Sequence, residues 1–385
     1  MRIRLISTYG IACGVATYAE NLSRSLVAAG AAVEVEPIDL ASVRGRSAEA
    51  VGRYYESLAE RCAGADVVHV QHEHAFFGSN RNIAVLGWLV RRLSRQRVAV
   101  TFHTVEQAGR SPWHKFYLPR HQANFGWQRL ARQLNRRGPM AAAVVAHTAE
   151  GCARLGDLGF APGRIFHVEH ALGDFRPGTA AAAAVPEGRK REGIELCCFG
   201  FLKETKGILE VIEALALLPP RFRLTVAGGL HPEDAQPILD RMARKVARLA
   251  PGAPDLIDRI TVTGFLSQEE KEAAFARADI FVNDYHGEFF SMSGALSNVI
   301  GRGRPVVCSA IPSFLEFQAR HGGLTLVPPR SPMALALKLL ELEGQLAHGE
   351  PALARLLAEQ AATCRALAWD TIARRHLEEV YRCRR

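Results

Sequence analysis

The sequence FVNDYHGEFFSMSGALSNVIGRGRPVV, residues 281–307, joins a strand, a polar loop and a helix in close succession. The loop carries His286 and Glu288, and the small residues at 293–295 open a predicted helix that ends near Gly303. A helix that begins with Ser, Gly and Ala lets a ligand approach the backbone closely. Its free N–H groups and the positive end of its dipole favour a phosphate group.

Lys206 is the second candidate in the same half of the chain. It lies in GFLKETKG, after a predicted strand and just before Gly207, where a helix is expected to begin. A mobile ammonium group there can neutralise the charge that grows on a departing diphosphate. The alternative is a lysine that is only solvated at the surface. Together with residues 281–307 it predicts a site for the diphosphate of an activated sugar.

Three further polar residues of this half are candidates for sugar or ribose hydroxyls. Glu288 lies beside the predicted phosphate site, and Asn298 and Glu316 are weaker candidates. A solvated glutamate is the alternative for Glu288.

Length and composition limit the class of protein. At 385 residues the chain exceeds the usual size of one domain, and 48% hydrophobic residues suffice for a core in each half. The formal charge of +9 favours anionic partners, namely nucleic acid, anionic lipid or small anionic substrates. A compositional bias of the source toward arginine explains it equally well.

The cysteines and the start of the chain bear on its location. None of the 8 cysteines forms a CxxC pair, and we interpret them as reduced thiols rather than a disulfide framework. The sequence starts with a strand-like RIRLIS, without the features of a signal peptide. An apolar run of about 18 residues is also missing. We therefore expect a cytoplasmic protein.

Apolar, β-branched runs alternate with helical patterns along the chain, which predicts parallel sheets with helices on both faces. The predicted strands are 2–7, 31–38, 66–72, 98–103, 141–148 and 164–172, then 195–202, 222–229, 259–266, 278–284, 305–309 and 324–328. The predicted helices include 15–29, 207–217, 233–249, 267–277 and most of 331–385. Residues 173–193, rich in Gly, Pro, Ala and charge, interrupt this alternation and predict a linker. Two doubly wound domains would bind ligands at the carboxyl ends of their strands.

Several candidates lie at the carboxyl ends of strands in the first half. Gly14 opens the first predicted helix and either admits a substrate group or only makes a tight turn. The spacing there is not GxGxxG, so it does not predict a dinucleotide site. His103 ends a predicted strand and is placed to bond a sugar hydroxyl, with a core or capping histidine as the alternative. His147 and His170 end similar strands with weaker support.

The segment HVQHEH at 69–74 holds three histidines. On an extended strand His72 and His74 share one face and His69 points to the other. A zinc site is disfavoured, because no matching Cys or carboxylate cluster is evident. We expect residues near the substrate or packing residues.

Residues 110–137 combine basic side chains with aromatics, among them Trp113 and Lys115, and contain no acidic residue. Such a segment can lie on an anionic membrane surface or hold an anionic acceptor. It can equally be a solvated helix whose aromatics pack inward, and single-stranded nucleic acid is a third alternative. Neither DxD nor Walker A, GxSxG or HExxH occurs in the chain.

In this arrangement the chain resembles the glycosyltransferase family 4 type of GT-B enzymes over nearly its whole length. The segments that carry the resemblance are CGVATYAENL at 13–22, VAVTFHT at 98–104, GFLKETKGILEVIEAL at 200–215, TGFLSQEEKEAAFARADIFV at 263–282, GRGRPVVCSAIPSFLEF at 301–317 and WDTIARRHLEEVY at 369–381. The resemblance implies two Rossmann-like domains facing each other across a cleft: 1–172 with a returning helix at 366–385, and a donor domain at 173–365.

The resemblance implies transfer of a sugar from a nucleotide-diphosphate sugar to an acceptor hydroxyl, with retention of configuration, without metal or other cofactor. Its expected role is in envelope polysaccharide or glycoconjugate synthesis, with a saccharide or lipid-linked acceptor and peripheral contact with an anionic membrane. The expected catalytic residues are Lys206, His103 and Glu288. The expected donor-binding residues are Gly14, Lys206, Ser293, Gly294, Ala295, Leu296, Asn298 and Glu316, and the acceptor-side residues are His72, Trp113 and Lys115.

The chain departs from the family pattern at the donor segment. Two positions that are usually glutamates are Phe290 and Asn298 here, and Phe201 stands where an arginine is common. An epimerase or phosphorylase for sugar nucleotides on the same fold is the alternative, and a basic nucleic-acid-binding protein is a remote one.

Overall fold

A computed structural model describes residues 1–11, 13–77, 83–93, 95–105, 120–137, 142–173, 193–229, 235–286 and 292–381. Contacts along the chain divide it into two compact units. Of the described residues, the first unit contains 1–173, Met292 and 367–381, and the second contains 193–286 and 293–366.

The first unit is built on a parallel sheet. Its described strands are β1 (Arg2–Ser7), β2 (Ala32–Pro37), β3 (Val67–His72), β4 (Arg97–Phe102), β5 (Ala143–Ala146) and β6 (Ile165–His167). They lie in the order β2-β1-β3-β4-β5-β6, and every neighbouring pair is parallel. The chain therefore moves outward from β1 to β2 and then returns past β1 to β3. The gap between β1 and β3 is the topological switch point, where open α/β sheets bind ligands.

The described helices of the first unit are α1 (Gly14–Ala28), α2 (Ala48–Arg61), α3 (Ile83–Arg92), α4 (Arg120–Asn135), α5 (Ala149–Asp157) and α13 (Trp369–Arg375), followed by a π-helical turn (His376–Val380). Buried aliphatic and aromatic side chains of α2, α3, α4 and strands β3 to β5 form one continuous core. Helix α13 contacts α1. Tyr381, the last described residue, is tied to the sheet by Arg97, whose Nη1 donates to the Tyr381 carbonyl at 2.9 Å.

The second unit has its own parallel sheet. Its described strands are β7 (Ile194–Phe199), β8 (Phe222–Ala227), β9 (Ile260–Gly264), β10 (Ile280–Asn283), β11 (Val306–Ser309) and β12 (Thr325–Val327). They lie in the order β12-β11-β10-β7-β8-β9, with a bulge between β8 and β9. The switch point lies between β7 and β10, so the loops after these two strands come together at one edge.

The described helices of the second unit are α6 (Ile208–Leu217), α7 (Ala235–Leu249), α8 (Gln268–Arg277), α9 (Gly294–Val299), α10 (Pro312–His321), α11 (Pro332–His348) and α12 (Pro351–Ala366). Among the described helices of this unit, α8 and α9 begin at a serine cap, because the first N–H groups of a helix lack internal partners. At α8 the Ser267 hydroxyl accepts from the Glu270 amide at 3.2 Å, while the Glu270 carboxylate accepts from the Ser267 amide at 2.7 Å. This capping box explains why the helix starts there.

The alternation of strands and helices predicted from the sequence is confirmed. Most predicted elements differ from the observed ones by a few residues at their ends, and two of these differences stand out. The strand predicted at 164–172 is limited to β6, and the helix predicted to end near Gly303 stops at Val299, because Ile300 is extended (φ −64°, ψ 141°). The predicted linker at 173–193 lies almost entirely outside the described residues. Within the described residues, no helix has the length and apolar character needed to cross a membrane.

Candidate functional site

The loops after β7 and β10 place Lys206 at the switch point of the second sheet. A 3₁₀ turn (Glu204–Lys206) follows β7, and Gly207 then adopts a left-handed conformation with φ +68°. A methyl group added at Gly207 would lie 1.7 Å from the Asp284 carbonyl oxygen. The His286 amide also donates to the Thr205 carbonyl at 3.1 Å. Only glycine allows the Lys206 loop to pack this closely against the end of β10.

Lys206 is connected to the start of α9 through one aromatic residue. Its Nζ lies 3.7 Å from the centroid of the buried Tyr285 ring, a cation–π contact. The Tyr285 hydroxyl is 2.9 Å from the Ser293 hydroxyl, and Ser293 Oγ accepts from the Leu296 amide at 3.2 Å as the cap of α9. Burial lowers the pKa of the Lys206 ammonium to about 7. A phosphate group beside it would favour the charged form.

The small residues at the start of α9 leave open space. A methyl group added at Gly294 would meet no atom within 4 Å, and its φ is not positive. Neither the backbone nor packing requires glycine there. Ala295 packs against Gly200 at the end of β7: a methyl group at Gly200 would lie 3.1 Å from the Ala295 Cβ. Leu296 is buried, and its amide already donates to Ser293 Oγ, so both its side chain and its N–H are engaged within the protein.

Asn298 and Glu316 are placed differently. The Asn298 amide donates to the Gly294 carbonyl at 2.7 Å, and its oxygen accepts from Lys271 at 3.3 Å. Both ends of this side chain are therefore engaged within the protein. Glu316 is partly buried on α10. Glu288 and Phe290 lie outside the described residues.

Two carboxylates that the sequence analysis missed lie beneath the Lys206 loop. Asp284 is 1% exposed, and neither of its carboxylate oxygens has a hydrogen-bond partner among the described residues. Burial, with a smaller contribution from the Glu210 charge, raises the pKa of Asp284 to about 7. Glu210 Oε2 lies 3.4 Å from His286 Nε2. The only sequence signal was the position of Asp284 at a strand end.

Phe201 stacks edge-on against Phe265, with ring centroids 5.9 Å apart. Phe265 follows β9 and is 55% exposed. The position where the family often has an arginine therefore forms part of an aromatic surface at the same edge of the sheet.

In the first unit, Gly14 begins α1 at the switch point between β1 and β3. Its φ is not positive, and an added methyl group would meet no atom within 4 Å. The explanation of a tight turn that needs glycine therefore does not fit. Open space remains in front of the helix start.

His103 follows β4 and takes part in a buried polar network. Its Nε2 is 2.8 Å from the Gln71 Oε1, and the Gln71 Nε2 is 3.2 Å from the His69 Nε2. His69 Nε2 is also 2.8 Å from the Thr101 hydroxyl, and its Nδ1 is 2.7 Å from the Tyr381 hydroxyl. Burial, with smaller contributions from neighbouring histidines, holds the pKa of His103 well below its usual value. The ring is therefore neutral at pH 7.

The predicted strand-end histidines come together around Tyr18. Its ring lies 4.9 Å from His103, 5.3 Å from His147 and 4.9 Å from His170, measured between centroids. Trp369 of α13 lies 5.2 Å from the same ring. Tyr18 was not singled out in the sequence, although its place in the first turns of α1 is a usable signal.

His72 lies on the opposite face of β3, as strand alternation predicts for it and His69. It is 1% exposed, stacks on Phe77 at 4.8 Å and contacts Phe102 and Trp127. This placement fits the packing alternative better than contact with an acceptor. Across the described ranges, no group of three His, Cys, Asp or Glu side chains is arranged to hold a metal ion.

Trp113 and Lys115 lie outside the described residues. Within the basic aromatic segment, α4 is helical from Arg120, and Trp127 is buried in the core of the first unit. At least this aromatic packs inward.

Comparison with known proteins shows what this chain is similar to. Residues 193–344 match the family model described as glycosyl transferases group 1. HepE of Anabaena, solved in complex with UDP and glucose, superposes with a TM-score of 0.67 at 15% identity, covering 98% of each chain. Sucrose-phosphate synthase of Thermosynechococcus elongatus gives a TM-score of 0.69 at 21% identity, covering 98% of this chain and 97% of that one. A glycosyltransferase of Rickettsia africae gives 0.70 at 14% identity, with the same coverage. A search of curated protein sequences finds no match.

The fold is therefore the GT-B fold, as the sequence analysis predicts. The matched residues include Lys206, Tyr285 and the whole of α9. Over these residues the chain is similar to group 1 glycosyl transferases, and the whole chain has an α/β architecture with two sheets.

Proposed function

We propose that the protein transfers a sugar from a nucleotide-diphosphate sugar to an acceptor hydroxyl, with retention of configuration. The observation that carries this proposal is the contact of Lys206 with Tyr285, 3.7 Å from its ring, inside the segment that matches group 1 glycosyl transferases. HepE was solved with UDP-glucose, and a trehalose-6-phosphate enzyme of E. coli with UDP-2-fluoro glucose, which supports a UDP-sugar as the first donor to test.

Lys206 and the amides of Gly294 and Ala295 would bind the donor diphosphate, since the Leu296 amide already donates to Ser293 Oγ. The bond between the anomeric carbon and the phosphate oxygen breaks, and its electron pair leaves with the diphosphate. Lys206 stabilises that charge, because a cation held in a partly buried site acts more strongly than one in water. The acceptor hydroxyl attacks the same face of the sugar and gives its proton to the departing phosphate oxygen.

Glu288 is proposed as the residue that bonds a hydroxyl of the donor, with Glu316 in support. In the first unit, His103 contacts the transferred sugar as a neutral hydrogen-bonding group. Gly14 gives a substrate group access to the start of α1, because the space beside its Cα, where a side chain would begin, is open. Trp113 and Lys115 are proposed for the acceptor side.

We propose that the reaction needs no metal and no cofactor besides the donor. The absence of a DxD pair from the sequence supports this. A chelator should therefore leave turnover unchanged. Complete loss would instead indicate a metal site.

The proposed setting is envelope polysaccharide or glycoconjugate synthesis in the cytoplasm, at the inner face of the membrane. The support is the basic aromatic sequence at 110–137, in which acidic residues are absent. Co-sedimentation with vesicles of anionic lipid, against zwitterionic vesicles, tests the membrane contact.

A panel of nucleotide sugars tests the function itself. A thermal shift identifies the donor that binds. Incubation with saccharide or lipid-linked acceptors should then release nucleoside diphosphate and form a glycosylated product. The anomeric configuration of that product, read by NMR, tests retention. An epimerized nucleotide sugar or a sugar phosphate as product would overturn the proposal in favour of an epimerase or phosphorylase.

A further inference from the structure

Three side chains of the first unit, Tyr381, His69 and Gln71, form a hydrogen-bonded chain that leads to His103. The Tyr381 hydroxyl meets His69 Nδ1 at 2.7 Å, and His69 Nε2 meets Gln71 Nε2 at 3.2 Å. Gln71 Oε1 then meets His103 Nε2 at 2.8 Å. His69 and Gln71 are both fully buried in β3, and Tyr381 is 1% exposed. Bulk water therefore does not compete for these bonds.

The Gln71 amide gives this network a direction. An amide oxygen only accepts hydrogen bonds and an amide nitrogen only donates them. His103 therefore carries its proton on Nε2 and donates it to Gln71 Oε1. Gln71 Nε2 donates to His69 Nε2, so His69 carries its proton on Nδ1 and donates it to the Tyr381 hydroxyl oxygen.

This leaves Nδ1 of His103 as an acceptor. In the part of the chain that the structure describes, this atom has no hydrogen-bond partner, and the residue as a whole is 9% exposed. An unprotonated ring nitrogen can accept a hydrogen bond from a hydroxyl group. The other tautomer would present a donor at the same place.

We propose that Gln71, His69 and Tyr381 are positioning residues that hold His103 in the tautomer with a free Nδ1. Nδ1 then accepts a hydrogen bond from a substrate hydroxyl. The inference rests on the proposed role of His103 in sugar transfer.

The placement of these groups supports the proposal. Polar side chains in the interior of a sheet cost free energy unless each one is hydrogen-bonded. The sheet accommodates His69, Gln71 and Thr101 together, all fully buried, where aliphatic residues would pack without that cost. The backbone of Tyr381 is held in turn by Arg97. Arg97 therefore fixes the Tyr381 end of the network.

Removal of the Tyr381 hydroxyl should reverse the direction of the network. In Tyr381→Phe the Nδ1–H of His69 loses its acceptor, so His69 moves its proton to Nε2. The Thr101 hydroxyl, 2.8 Å from this nitrogen, can also accept that proton, but the Gln71 NH₂ group would then face an N–H group. Because two donors repel each other, Gln71 turns its amide, and its nitrogen donates to His103 Nε2. The His103 proton moves to Nδ1, and the acceptor at the substrate side becomes a donor.

Nitrogen NMR of protein with 15N-labelled histidine reads the tautomer directly, without activity. The His103 signals are those missing from His103→Ala. We expect a protonated Nε2 and an unprotonated Nδ1 in the wild type, and the reverse in Tyr381→Phe. Gln71→Leu should abolish the preference. Tyr54→Phe is the matched control, because the Tyr54 hydroxyl bonds only the Pro37–Asp39 region of the first unit.

Tyr381→Phe and Gln71→Leu should each lower kcat about 10-fold, the loss expected for one hydrogen bond of about 1.4 kcal/mol. Tyr54→Phe should leave kcat unchanged. His103 signals that are identical in wild type, Tyr381→Phe and Gln71→Leu would overturn the proposal, as would a wild type protonated at Nδ1. Full activity of His103→Ala would overturn the proposed bond between His103 Nδ1 and a substrate hydroxyl, whatever the spectra show. Failure of the proposed function appears separately, as no glycosyl transfer by the wild type with any donor.

Discussion

The Nζ of Lys206 lies 3.7 Å from the centroid of the Tyr285 ring, and the hydroxyl of the same ring is hydrogen-bonded to Ser293. One aromatic side chain thus joins the loop after β7 to the cap of α9. Residues 206 and 293 are distant in the sequence and meet because β7 and β10 are neighbours at the switch point.

Replacement of Lys206 by alanine should reduce kcat by a factor of about 10² to 10³, the range seen when one charge-stabilising group is removed. The fold should persist, because the lysine is only partly buried. Turnover with a UDP-sugar and circular dichroism measure the two effects. Lys338→Ala, at a partly exposed lysine of α11 remote in sequence from the donor segment, is the matched control. Unchanged turnover of a folded Lys206→Ala would refute its role.

Replacement of Tyr285 by phenylalanine keeps the ring beneath Lys206 and removes the bond to Ser293. We expect a loss of about 1 kcal/mol in stability and about 10-fold in kcat/KM, because α9 is held less firmly. Leucine at this position should cost more, since it also removes the cation–π contact. Urea unfolding measures the loss of stability, and steady-state kinetics measure the loss of kcat/KM. Equal kinetics for Tyr285→Phe and Tyr285→Leu would show that the ring itself does not matter.

Donor affinity should fall as the pH rises through about 7. Burial lowers the pKa of Lys206 to that value in the free protein, and a bound diphosphate favours the charged form. Below pH 7 the ammonium is already present; above it, binding requires proton uptake. The affinity should therefore fall by up to about tenfold per pH unit. Calorimetry with a UDP-sugar from pH 6 to 9 measures this. In Lys206→Arg, whose guanidinium stays charged, the pH dependence of donor affinity should vanish. If the pH dependence remains in this variant, another group causes it.

Two glycines of the second unit should respond in opposite ways to alanine. Gly207→Ala places a methyl group 1.7 Å from the Asp284 carbonyl at a positive φ, so we expect a loss of about 3 kcal/mol or more. Gly294→Ala meets no atom within 4 Å and should fold normally. Its donor affinity should fall, because the methyl group occupies the place proposed for phosphate. Urea unfolding and donor titration test the pair, and undiminished affinity of Gly294→Ala would argue against a phosphate at α9.

The sequence was sufficient for the alternation of strands and helices, because each strand is a short apolar run between helical patterns. It could not set the lengths of elements whose ends depend on tertiary contacts. Strand β6 stops at His167, beyond which the Val168 carbonyl accepts from His147 Nδ1 at 2.8 Å. A side chain thus takes the place of the next strand partner.

The candidate site was predictable where a residue lies at a strand end. His103 follows β4 directly, and Lys206 lies in the loop after β7. Partners that depend on strand register were not predictable. His69 and Gln71 reach Thr101 and His103 only because β3 and β4 pair with Gln71 opposite Thr101. The Tyr381 hydroxyl meets His69 across 312 positions of sequence, which no local pattern shows.

The buried histidines of the first unit should make the protein sensitive to acid. Burial is the main reason that the pKa values of His170 and His376 fall to about 4 and that of His147 to about 3. In the unfolded chain these rings titrate near pH 6.5, so between about pH 6.5 and 4 the unfolded state binds more protons than the folded state. Stability is therefore complete above pH 6.5 and falls as the pH drops through that window.

Each such histidine contributes a slope of about 1.4 kcal/mol per pH unit within the window. Urea unfolding at pH 7, 6 and 5 should show this loss. His376→Gln should reduce the slope, because one buried ring no longer titrates on unfolding. His348→Gln is the control, since His348 is exposed at the end of α11 and its removal should leave the slope unchanged. A free energy of unfolding that is constant from pH 7 to 5 would mean that these rings carry a proton in the folded state.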